Sequence, residues 1–204
     1  MQNAVRTAVL AGIFLLVGGL LSFGLIAEGI HESARLGEVA ALERQIEAGA
    51  SIESLDNRGD TPLIAAAYAG QLEATRRLLD AGAKVDGRSN RGMTALHAAA
   101  YRGHRDIVTL LIERGANIDD RRNKFRITPL HAAAEENHPD IVALLISGGA
   151  AIDLKEVNAI TALSRAGWNG NWEIFEMLKK AGAKCQPANV VGAELHERCV
   201  AVGQ

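Results

Sequence analysis

Four segments of this chain can be laid over one another almost residue for residue, and that periodicity dictates its architecture. They read TPLIAAAYAGQLEATRRLLDAGAKVD from Thr61, TALHAAAYRGHRDIVTLLIERGANID from Thr94, TPLHAAAEENHPDIVALLISGGAAID from Thr128 and TALSRAGWNGNWEIFEMLKKAGAK from Thr161, spaced by 33, 34 and 33 residues. A weaker fifth copy begins at Glu28, with Ile30-His31, Gly37 and Gly49-Ala50 in register. A unit this short cannot bury its own apolar face, so the copies must stack into one continuous core.

The residue types within a copy describe two helices and a turn. Thr61, Thr94, Thr128 and Thr161 are helix N-caps, and Pro62 and Pro129 suit the first helical turn. The alanine runs at 65–67, 98–100 and 132–134 favour helix and let neighbouring backbones approach closely. Gly70, Gly103 and Gly170 end the first helix, with Asn137 in that place in the fourth copy, and Gly82, Gly115, Gly149 and Gly182 end the second. Polar, glycine-rich stretches such as 86–92 are turns. Aromatic residues make up only 4% of the chain, which argues against a sheet-based core and for thin, closely packed helices.

These motifs, in this register, resemble the ankyrin-repeat family over Glu28 to about Lys184. The resemblance implies an all-α solenoid of about five helix-turn-helix repeats, starting near 28, 61, 94, 128 and 161, linked by short β-hairpin-like fingers. The first copy reads as an N-terminal cap, because Glu32 and Arg35 stand where later copies carry alanine or tyrosine. Ala193-Glu194-Leu195-His196 echoes Thr94-Ala95-Leu96-His97, so 185–204 reads as a capping half-repeat.

Ahead of the repeats, residues 7–27 contain no charged side chain. Such a run is about 30 Å long as a helix, one hydrocarbon thickness. Residues 1–27 therefore read as a signal peptide or, with preference on length, an uncleaved hydrophobic anchor helix. Arg6 places the N-terminal side in the cytoplasm and the repeats outside it, which in a bacterium is the periplasm, tethered to the inner membrane or released there. In that compartment Cys185 and Cys199 are spaced for a disulfide, against the alternative of two separately buried thiols.

Catalytic patterns are missing from the sequence. There is no Gly-x-Ser-x-Gly, no phosphate-cradling glycine loop and no His-Glu-x-x-His. Glu135 and Glu136 are helix neighbours whose carboxylates diverge. His97 and His131 recur at one repeat position, and His104 and His138 at another; ligands one stacked helix apart, roughly 10 Å, cannot share a metal. No enzyme, cofactor or metal centre is expected.

In the resembled family, partners lie against the finger tips and the exposed face of the first helices. The two residues before the mid-repeat glycine are variable there; here they are Tyr68-Ala69, Tyr101-Arg102, Glu135-Glu136 and Trp168-Asn169. Tyr, Trp and Arg are frequent interface anchors; packing between copies is the competing use. The connecting segments carry Arg58, Arg88, Arg91, Arg121, Arg122, Lys124 and Arg126, with Phe125 exposed on the finger that is one residue longer. A basic edge on a chain of net charge −2 suits a protein partner with an acidic surface patch, not nucleic acid, and the membrane is met only through the N-terminal segment. Solvated turns would look the same. The expected function is a non-catalytic scaffold or adaptor supporting a periplasmic enzyme or stress-response partner; the alternative is an immunity protein that neutralises a secreted toxic effector.

Overall fold

The structure, a computed structural model, describes residues 29–202; the hydrophobic segment expected at 1–27 lies outside them. The described helices are α1 (29–36), α2 (Val39–Glu47), α3 (Pro62–Ala69), α4 (Leu72–Asp80), α5 (Ala95–Arg102), α6 (Arg105–Glu113), α7 (Pro129–Glu135), α8 (Pro139–Ser147), α9 (Ala162–Trp168), α10 (Trp172–Lys180), α11 (Ala188–Val191) and α12 (Ala193–Ala201). They pair as five helix hairpins followed by a terminal pair. The odd-numbered helices α3, α5, α7 and α9 stack side by side, and α2, α4, α6, α8 and α10 stack as a second layer. Among the described residues no helix is long and apolar enough to cross a membrane.

Alanine is what lets the first layer close up. Ala66, Ala67, Ala99, Ala100, Ala133 and Ala134 have no accessible surface, and Leu96, Leu111, Leu145, Leu178 and Phe175 fill the space between layers. Dense packing of this kind makes a single methylene matter. The caps behave as the residue types dictate. Thr61, Thr128 and Thr161 accept from the backbone N–H three residues on, and Gly70 and Gly103 close their helices in the left-handed conformation. Asn137 does the same at φ +59°.

The expected β-hairpin-like fingers contain no strand among the described residues; each is a tight turn. The carbonyls of Asp56, Ser89, Asn123 and Glu156 each accept a turn-closing bond from the residue three further on. That residue takes positive φ in every finger, as Gly59, Gly92, Arg126 and Ala159. In three fingers a side chain completes the turn: Asp56, Ser89 and Asn123 each accept N–H bonds from the residues two and four positions later. With so many backbone groups satisfied inside each turn, little is left to build a ladder. Neighbouring turns are joined by single bonds, Asn90 N–H to Gly59, Lys124 N–H to Arg91 and Val157 N–H to Phe125.

Two further ladders run along the stack. The acids Glu53, Asp86, Asp119 and Asp153 each accept a backbone N–H from the next copy, at Lys84, Asn117, Ala151 and Lys184. The residue that opens each second helix (Gln71, His104, His138 or Asn171) reaches back to the preceding copy, to the carbonyl of Arg35, Tyr68, Tyr101 or Glu135.

At the C-terminal end, Cys185 and Cys199 form a disulfide with their Cα atoms 5.7 Å apart. It fastens α12 to the last hairpin, where Leu195 packs on α9 at Gly167; a methyl there would collide with Leu195 Cδ1.

Candidate protein-interaction surface

The histidines are absorbed by the fold. The Nδ1 atoms of His97 and His131 accept from the backbone N–H of Thr94 and Thr128, so each ring's Nε2–H donates outward, to Ile127 and Ile160 carbonyls of the next finger at 3.0 and 3.2 Å. Burial holds both rings below the ordinary histidine pKa, hence neutral at pH 7. His31 bonds the Ser54 carbonyl in the same manner. His104 and His138 do work that Gln71 and Asn171 do elsewhere, which is a backbone tie and requires no metal. Among the described residues no three His, Cys, Asp or Glu side chains converge as metal ligands.

The residues ending the first helices lie at the surface in one column. Tyr68, Tyr101 and Trp168 are 45%, 38% and 48% exposed. Each contacts the copy that follows. The Arg102 guanidinium lies 5.1 Å from the centre of the Tyr68 ring, a cation–π arrangement. Glu136 sits beside the Tyr101 phenol, whose pKa it raises by its negative charge and by hydrogen bonding. Asn169 donates to the Glu135 carbonyl, and the Glu135 carboxylate pairs with Arg165 at 2.8 Å. Trp168 is less free than the sequence implies, because its indole N–H donates to Val191 in the terminal pair. At the other end Arg35 takes the same column position and pairs with Glu32 and Asp56.

The basic fingers divide into tied and untied cations. Arg88 is tied: with Arg122 it pairs with the buried Asp120 carboxylate. Burial alone would raise the Asp120 pKa, but bonds from Arg88 and Arg122 outweigh it and the net shift is downward. Arg121 reaches the Lys155 carbonyl at 3.4 Å and is half-buried. Arg58, Arg91, Lys124 and Arg126 are exposed. The expected exposed Phe125 is 51% accessible, with Lys124 Nζ 6.0 Å from its ring centre.

The longer finger has a consequence that sequence spacing did not expose. Aligning the turns places Arg58, Arg91, Phe125 and Asn158 at one tip position and Asn57, Asn90, Lys124 and Val157 at the one before it. Phe125 and Val157, 51% and 58% exposed, therefore come from adjacent fingers. Together with Ile127, Asn158 and an ion-paired floor of Glu135, Arg165 and Glu156 they line a cavity of about 230 Å³. Glu156, Arg165 and Val157 had no sequence signal as site residues; only the stacking of one finger on the next brings them together. Gln186 likewise carries no sequence signal. It lies outside the repeats but binds Thr161 and Ser164, taking the place of the histidine that the last copy lacks.

The family model for ankyrin repeats (3 copies) matches residues 30–122 and 119–189, nearly the whole of the described chain. None of the curated proteins compared with it matches.

Proposed function

We propose that this chain, which belongs to the ankyrin-repeat family, is a non-catalytic adaptor whose partner protein lies across the Tyr68–Tyr101–Trp168 column and the finger tips. Ankyrin repeats form a protein–protein interaction domain, and the observation that carries the finer reading is the surface left over once the internal ties are counted. Periodic acids, histidines and amides are consumed within the stack, whereas the tyrosine column, Arg102 and the cations at Arg58, Arg91, Lys124 and Arg126 remain outward. Exposed aromatics beside arginine are the composition of interface hot spots. An acidic patch on the partner would be steered to the cationic tips.

The site of action in this reading is outside the cytoplasm, the periplasm of a bacterium, supporting an enzyme or stress-response protein there. The Cys185–Cys199 disulfide supports it, because such bonds persist in oxidising compartments. So does the uncharged run at 7–27. Alkaline phosphatase fused after Gln204 should be active in cells; an inactive fusion at normal abundance would remove the extracytoplasmic part of the reading. For the surface, the full chain and its Tyr101→Ala/Arg102→Ala variant are compared in affinity capture from the same extract. Retention of one stoichiometric protein by the parent and its loss from the variant are expected. Equal retention would take the interaction off this column.

A further inference from the structure

The groove between the finger tips and the first helices, which the cavity occupies toward its C-terminal end, gains apolar residues there, and the change specifies a kind of partner. At the first two tips the exposed residues are Asn57-Arg58 and Asn90-Arg91. At the last two they are Lys124-Phe125-Arg126 and Val157-Asn158-Ala159, and of these Phe125 and Val157 flank the cavity of about 230 Å³. The charged groups of the cavity floor are paired with one another, while the buried Arg165 Nε–H is left without an acceptor among the described residues. Arg165 is already held between Glu135 and Glu156, so its carboxylates are engaged and a lone cation from a partner would displace an existing pair. Phe125, Ile127 and Val157 give the cavity an apolar side and Asn158 a polar one, and the tip nearby is cationic, with Lys124 and Arg126 on either side of Phe125.

We infer that the groove takes a single extended partner segment of two parts: an apolar side chain seated between Phe125 and Val157, and an acidic stretch lying over Arg91 and Arg58. This rests on the interaction-surface reading above and adds the chemistry of the occupant. The spacing follows from geometry. Stacked copies are roughly 10 Å apart, so the cavity lies about 15 Å from the Arg91 tip. An extended chain covers about 3.3 Å per residue, which puts the acidic stretch some four to five residues from the apolar anchor. The anchor supplies affinity by leaving water, and the carboxylates supply register and rate, losing their effect as salt rises.

The test displays random peptides of about twelve residues, some 40 Å when extended, against the immobilised full chain. Enriched sequences should share a large apolar residue four to five positions from a cluster of Asp or Glu. Synthetic peptides carrying that pattern should bind Phe125→Ser at least roughly tenfold more weakly, and should bind Arg58→Glu/Arg91→Glu weakly with little remaining salt dependence. Phe125 is a surface side chain, so an unchanged thermal midpoint in Phe125→Ser shows that the loss is local. Enriched peptides that lack the acidic cluster, or that bind Phe125→Ser as tightly as the parent, overturn the inference. If those same peptides are lost with Tyr101→Ala, the interaction surface stands and only the two-part occupant falls. Peptides indifferent to every groove variant, or no enrichment at all, count against both.

Discussion

His97 and His131 carry the clearest residue-scale consequence. Both Nδ1 atoms already accept from a helix-cap N–H, so adding a proton there removes a bond and leaves a buried charge. Their folded pKa values lie below the ordinary 6.5, which makes the unfolded chain the better proton acceptor in mild acid. Their contribution to stability is therefore complete above about pH 6.5 and is lost as pH falls through that value toward the folded pKa. Asp56 and Asp120 act in the same direction but in a lower window, below 3.8, while Asp60, with its pKa raised chiefly by burial, acts in the opposite direction. The thermal midpoint should fall between pH 7.5 and 5, and fall less in a His97→Gln/His131→Gln variant measured against its own value at pH 7.5. An equal fall in both proteins would mean that other groups control the acid response. Asn123 is a second test at this scale. It satisfies Phe125 N–H, Ile127 N–H and the Ile127 carbonyl at once, so Asn123→Ala should cost about 1–3 kcal/mol in denaturant unfolding. A change under half a kilocalorie would show that water replaces the side chain freely.

At the scale of elements, the terminal pair α11–α12 depends on contacts unlike those of the repeats. Gln186 stands in for the missing histidine, Trp168 donates to Val191, Arg198 lies 3.5 Å from the centre of the Trp172 ring, and the disulfide ties Cys199 to the last hairpin. Replacing both cysteines by serine should lower stability by up to about 3 kcal/mol. Hydrogen exchange should quicken in 188–201 and hardly change in α5 to α8. Uniform quickening would mean that the terminal pair is integral to the cooperative core. The sequence announced the repeats because each helix end is marked by a residue type that only one backbone conformation favours, such as Gly70 or Gly103. It marked the terminal helix through Leu195-His196. It gave no sign of Gln186 as a cap, since that tie spans 25 positions and belongs to no repeat position. The cavity was hidden as well. Phe125 and Val157 meet only because the extra residue of the longer finger precedes Asn123, leaving the tip itself in register with its neighbours.

For the whole molecule, the stack makes local damage a shared loss, because each copy is stable only against its neighbours. Leu111 is fully buried in the central copy, so Leu111→Ala should cost about 2–5 kcal/mol and lower one common unfolding transition. Two separated transitions would mean that the halves fold alone. The same rigidity presents the tyrosine column and finger tips as one continuous surface, and the functional account depends on that surface meeting a protein. A photo-crosslinking amino acid placed at Tyr101 and, as comparison, at the exposed Glu113 on α6 tests this in living cells. One discrete adduct is expected from position 101 and none from 113. Adducts from 113 alone, or the same adducts from both, would contradict it.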